Sequence, residues 1–164
     1  MKKSFLFVLS MFLFSTLIAQ DEGSSRSGKW MLETGSSLFS GLTSSSGGSV
    51  LFDEGFTVTQ LGLDIGKFVS DDFAWKVRAG ILDLDGESIG NLSVGGKYYL
   101  GGVAPIEANA GMFFGGGDSE FILDALIGYA IVLADNIYFE PKGGIIYSNS
   151  DVAGIIKFSF AMLF

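Results

Sequence analysis

The chain has 164 residues, enough for one domain, and contains neither Cys nor His. Those two absences remove Ser-His-Asp and Cys-His catalysis, the usual zinc sites and any disulfide framework. Its 10 basic residues lie scattered among 18 acidic ones, which opposes a nucleic-acid partner because phosphate binding needs clustered Lys and Arg.

Lys2 and Lys3 precede an apolar run over residues 5–18 that ends at Ala19-Gln20, before the polar QDEGSSRSG. A basic start, a short greasy middle and a small residue at the cut describe a secretory signal peptide. The run falls short of the ~20 apolar residues a spanning helix needs. Leu17 is a poor residue three before the cut, so the cleavage bond itself stays open. The expected organisation is a signal peptide over 1–19, a periplasmic N-terminal segment over 20–28 and a barrel over 29–164.

Past residue 28 the pattern alternates with a period of two, in segments of the length that crosses a bilayer when tilted. KWMLETGSSLF sets Trp30, Leu32 and Leu38 against Glu33, Gly35 and Ser37. A long Gly/Ser segment over 41–55 reads as a loop, with Val50-Leu51-Phe52 extending the strand beside it. TQLGLDIGKF sets Leu61, Leu63 and Ile65 against Gln60, Gly62, Asp64 and Gly66. In FAWKVRAGIL, Phe73, Trp75, Val77, Ala79 and Ile81 alternate with Ala74, Lys76, Arg78 and Gly80. NLSVGGKYYL sets Leu92, Val94, Tyr98 and Leu100 against Asn91, Ser93, Lys97 and Tyr99.

IEANAGMFF gives Ile106, Ala108, Ala110, Met112 and Phe114 against Glu107, Asn109 and Gly111. FILDALIGYAIVL sets Phe121, Leu123, Ile127, Tyr129 and Ile131 against Asp124 and Gly128. IYFEPKGGIIY sets Phe139, Ile145 and Tyr147 against Tyr138, Glu140, Lys142 and Gly144, with a bulge expected at Pro141 because proline deletes a ladder donor. GIIKFSFAMLF closes the chain, with Ile156, Phe158, Phe160, Met162 and Phe164 on one face and Ile155, Lys157, Ser159 and Ala161 on the other. That makes eight strands, and no helical period fits the clearest of them.

Eight alternating strands close into a barrel, and the position of the charges decides which kind. A soluble barrel turns its charges outward and its apolar face inward; a membrane barrel does the reverse. Here the face carrying Trp30, Trp75, Tyr98, Phe139 and Phe160 is almost free of charge, with Lys67 near a turn, where it can snorkel, and Asp83 at a strand end. The opposite face holds Lys76, Arg78, Lys97, Lys142 and Lys157 together with Glu33, Asp64, Glu107, Asp124 and Glu140, five of each sign. Facing lipid, each unpaired charge at mid-depth costs ~2–4 kcal/mol. The reading is therefore an all-β, eight-stranded antiparallel up-and-down transmembrane β-barrel. The ten groups, with Tyr99, Phe113 and Tyr138, are expected to fill its interior as an ion-pair network, which also accounts for the carboxylates without catalysis.

The terminal KFSFAMLF strand, the signal peptide, the GKFVSDDFAWKVRAG hairpin and the GGKYYL strand resemble the small outer-membrane β-barrel proteins of the OmpA/OmpX-like superfamily. That resemblance implies the outer membrane of a Gram-negative cell envelope. It also implies recognition by the barrel-assembly machinery, with Phe158, Phe160, Met162 and Phe164 as the C-terminal insertion signal. Both termini are then periplasmic, and the loops bearing Asp53, Glu54, Asp85, Glu87, Asp118, Glu120 and Asp151 face outward. The expected neighbours are outer-membrane lipid and lipopolysaccharide, around a monomer. No enzyme, cofactor, metal or nucleic acid is expected. Asp83, Asp85 and Glu87 of DLDGES lack the full calcium-loop pattern and read as a solvated loop. The expected role is structural or one of cell-surface interaction; the alternative is a narrow small-solute channel or ligand-binding barrel of the OmpW kind, which needs a gap in the charged interior.

Overall fold

In the structure, a computed structural model, residues 25–38, 47–53, 56–84, 87–115, 118–148 and 151–164 are described. The signal-peptide reading, most of the 20–28 segment and the tips of the expected outward loops, including Glu54 and Asp85, lie outside them. Ten strands form one sheet: β1 (Trp30–Leu38), β2 (Gly47–Asp53), β3 (Phe56–Phe68), β4 (Phe73–Leu84), β5 (Glu87–Leu100), β6 (Ala104–Gly115), β7 (Asp118–Gly128), β8 (Ile131–Ala134), β9 (Ile137–Ser148) and β10 (Asp151–Leu163).

Neighbours pair antiparallel in the order β1-β10-β9-β7-β6-β5-β4-β3, and β1 then pairs β3, from Trp30↔Lys67 to Glu33↔Asp64, so that the sheet closes as an eight-stranded up-and-down barrel. Closure leaves no sheet edge at that level. The two remaining strands share positions with others. β8 continues the line of β7 along β9, and β2 continues the line of β1 along β3, from Gly47↔Gly62 to Asp53↔Phe56. Within the segment over 41–55 the Val50-Leu51-Phe52 stretch is strand, as expected, and the strand is longer than that stretch, running from Gly47 to Asp53 where a loop was expected.

Register also fixes how far the strands slide past each other. Partners followed around the wall run Leu38–Ile156–Gly143–Ile127–Ile106–Tyr98–Phe73. Extending the β3–β4 and β1–β3 registers by one and two positions brings the path back to Gly28, ten residues below its start (38 − 28). A stagger of that size in eight strands goes with a tilt of roughly 40° and an interior that side chains can fill.

Two local expectations are corrected. Pro141 causes no bulge: Gly128↔Lys142 and Ile131↔Phe139 keep one register across it. The ladder is interrupted instead, because Tyr129 N–H donates to the Pro141 carbonyl at 3.1 Å and proline has no N–H to return. The irregularity in register falls farther on, between Val132 and Ala134. At the interruption Tyr129, expected on the apolar outer face, is buried, and Ala130 N–H turns to the carbonyl of Val103 at 2.7 Å. The turn between β5 and β6 uses Gly101 and Gly102 at φ +60° and +76°, the left-handed region that glycine enters without a Cβ penalty.

Candidate functional site

Alternation sends every second side chain into the lumen, and the structure places all ten ionisable groups of the charged face there. Glu33, Asp64, Lys97 and Glu140 have no exposed surface, and the most exposed of the ten, Asp124, shows 6%. They meet as two linked clusters. In one, the carboxylates of Glu33, Glu107 and Glu140 surround two ammonium groups. Lys97 Nζ lies 2.8 Å from Glu33, 2.5 Å from Glu140 and 3.6 Å from Glu107; Lys142 Nζ lies 2.5, 3.1 and 2.6 Å from the same three. Tyr99 adds its hydroxyl, donated to Glu140 Oε1 at 2.6 Å.

In the second cluster Asp64 is the centre. Arg78 clasps it through Nε–Oδ1 at 2.8 Å and Nη2–Oδ2 at 3.0 Å, and Lys76 approaches Oδ2 at 2.9 Å. Arg78 also reaches Asp124 at 3.2 Å, which in turn accepts a bond from the Asn109 amide at 2.5 Å. Lys76 joins the clusters through its contact with Glu107, and Lys157 joins them again, 3.2 Å from Glu33 and 3.7 Å from Asp64. Which acid meets which base follows from the stagger of the strands. Among the described residues the three glutamates alone have carboxylate oxygens grouped closely enough to hold a metal ion, but Lys97 and Lys142 already supply the cations between them.

Small residues make room for this layer. A Cβ on Gly35 would collide with the backbone of Phe158 and Ser159, and one on Gly128 with the Pro141 carbonyl and the Lys142 side chain. Polar side chains thus lie over a glycine of the next strand: Asn109 on Gly95, Ser93 on Gly111, Lys142 on Gly128.

Below the charges lies a second layer that alternation alone does not announce. Met31, Phe68, Ala74, Tyr99, Ala130, Tyr138, Ala161 and Leu163 form one buried cluster at the end of the barrel holding the turns at 69–72, 101–103 and 135–136. Phe68 and Tyr99 stack there with centroids 5.8 Å apart. Each floor residue at 31, 74, 99 and 138 is one inward position from a charge, at 33, 76, 97 and 140.

Residues 25–29 then strap this floor shut. Arg26 lies over the rings of Tyr99 and Tyr138, 4.3 and 5.3 Å from their centroids, and donates to the Gly102 carbonyl at 2.8 Å. Ser25 Oγ and Ser27 N–H donate to Asp71 Oδ1 at 2.6 and 3.1 Å, and Lys29 Nζ donates to Asn136 Oδ1 at 3.2 Å. Those bonds from Ser25 and Ser27 hold the exposed Asp71 carboxyl below its ordinary pKa. Arg26 stands outside the alternating segments and has no motif around it; its only signal in the sequence is a lone base in a polar stretch next to the first strand.

The outer face is the converse. Trp30, Leu63, Trp75, Val94, Met112, Leu123, Ile145 and Phe160, one from each barrel strand, are between 40% and 59% exposed. Lys67 and Asp83 are the only charged residues on it among the described side chains. Of the residues expected to act as an insertion signal, Phe160, Met162 and Phe164 are exposed on this face. Phe158 is half-buried against Phe139, ring on ring at 6.2 Å.

No family model matches the chain, and no curated protein matches it. Among solved structures it is similar to the crystal structure of the outer membrane protein OprG from Pseudomonas aeruginosa. The identity is 15% and the TM-score 0.44, over 88% of this chain and 99% of that one.

Proposed function

We propose that this chain is an integral outer-membrane barrel with a plugged lumen and a structural or cell-surface role, without turnover. The observation that carries the reading is the inside-out distribution of polarity, with five bases and five acids enclosed and an apolar belt exposed on every barrel strand. In water that belt has no reason to exist at such extent. In hydrocarbon it is the favoured surface, and where β1 meets β3 the closed ladder presents no sheet edge to it. Among the described residues no helix is long and apolar enough to cross a membrane.

The plug is supported by exposure. The side chains of the ionic layer are at most 3% accessible, whereas a water-filled passage among them would leave their heads wetted. The apolar floor and the Arg26 strap close the same end a second and third time. On this reading both termini are periplasmic, Phe160, Met162 and Phe164 present the insertion signal to the barrel-assembly machinery, and the monomer's outward loops meet lipopolysaccharide and the surroundings. The test is conductance in planar bilayers after reconstitution, with insertion verified by heat-modifiable gel mobility. The expected result is a silent membrane; steady single-channel currents from the folded protein would favour a small-solute channel instead.

A further inference from the structure

Eight of the chain's ten Lys and Arg residues are described, and seven of those have oxygen partners: the five of the lumen, Arg26 and Lys29. Lys67 has none among the described residues. It stands on the apolar outer face near a strand end, where its ammonium can reach the headgroup level but finds no oxygen of the described chain. The interior, balanced at five charges of each sign, has no use for it.

Its neighbours are equally specific. Register sets Trp30 on β1 and Trp75 on β4 directly opposite Lys67 on either side, so the three residues form one row across β1, β3 and β4. The two indoles meet edge to face with centroids 6.1 Å apart, and the Lys67 ammonium lies 5.2 Å from the centre of the Trp30 ring. Both tryptophans are 40% exposed. The row lies at the strapped end of the barrel, one position from the end of β3. Tryptophan favours that depth of a membrane, where its ring is in the acyl region and its N–H in the headgroups.

We propose that Trp30, Lys67 and Trp75 form a seat for the phosphodiester of a phospholipid headgroup. Lys67 supplies the charge, the two indole N–H groups supply further donors, and the ring faces hold the first carbons of the acyl chains. The proposal rests on the membrane reading above and adds to it a defined lipid at a defined strand position.

Native mass spectrometry of the folded protein tests it, with phosphatidylglycerol, diacylglycerol of the same chains, or inorganic phosphate added to the detergent. The wild type is expected to retain one phosphatidylglycerol and no diacylglycerol. K67Q is expected to lower occupancy about fivefold, the effect of one basic residue near an anionic lipid surface. K67R is expected to restore it. Equal retention by K67Q overturns the seat, and so does release of the lipid by millimolar phosphate, which would assign the charge to a free anion. Because Lys67 faces outward, K67Q should fold and insert like the wild type. Failure of the seat in an inserted barrel is thus distinct from failure of the membrane reading, which would appear as no insertion by either protein.

Discussion

Arg78 holds Asp64 by two parallel hydrogen bonds, Nε to Oδ1 at 2.8 Å and Nη2 to Oδ2 at 3.0 Å, with both side chains sealed from solvent. A planar fork matches a carboxylate in a way an ammonium does not. Asp64→Asn strips the anion from Arg78, Lys76 and Lys157 together and should cost ~3–5 kcal/mol, as breaking a buried pair does. Arg78→Lys keeps the charge and loses the fork, and should cost less, ~1–3 kcal/mol. Urea unfolding of the reconstituted barrel measures both; wild-type stability in Arg78→Lys beside a large loss in Asp64→Asn would mean that charge alone, not the fork, holds the layer.

Lys97 and Glu140 tie strands β5 and β9 across the lumen at 2.5 Å. Each single replacement, Lys97→Met or Glu140→Gln, leaves the other charge enclosed. The double variant removes both and should recover part of the loss, with a coupling of ~0.5–3 kcal/mol. Additive losses would show that the two act through Glu33, Glu107 and Lys142 rather than on each other.

The hold of the strap at the turn end of the barrel varies with pH. Asp71 is held below its ordinary pKa by the Ser25 hydroxyl and the Ser27 N–H. A carboxylate lowered by folding contributes its hold above its unfolded pKa of about 3.9, and that hold fades as pH falls through the lowered folded value. Limited proteolysis at residues 25–29 should therefore be slow at neutral pH and faster in strong acid. Asp71→Asn should be fast at both, and a wild-type rate unchanged down to pH 2 would show that Arg26 alone fixes the strap.

Two glycines separate packing from conformation. Neither lies at positive φ. A Cβ on Gly144 would run into the Ala125 carbonyl and come within 2.9 Å of Leu126 Cα, whereas one on Gly154 meets nothing within 4 Å. Gly144→Ala should cost ~1–3 kcal/mol by overpacking, and Gly154→Ala should stay within ~0.5 kcal/mol of wild type. Equal melting temperatures for the two variants would remove the close-packing account of the wall.

Facing was legible because strand periodicity is two and the two solvents are opposite. A residue such as Lys76 between Trp75 and Val77 has only one tolerable side. Pairing was not legible, since Lys142 meets Glu33 only through a stagger summed around eight strands. The apolar floor escaped because Met31, Phe68 and Leu163 alternate in phase with the charges and look, in one dimension, like dilution of a polar face. Tyr129 was misplaced because alternation assumes an unbroken ladder, and Pro141 breaks it on the opposite strand. Strand β2 was legible only over Val50-Leu51-Phe52; its Gly47-Gly48-Ser49 start carries no strand propensity and is extended through its pairing with β3.

The facing of the wall can be read along β10, in a chain whose lack of Cys makes single-cysteine spin labels clean. With labels placed one at a time from 156 to 162 in reconstituted vesicles, collision with lipid-dissolved oxygen should peak at 156, 160 and 162. It should fall at 157, 159 and 161, with little access for a water-soluble relaxant at any of the seven. The opposite phase, with labels at 157, 159 and 161 facing lipid in variants that fold, would contradict the account.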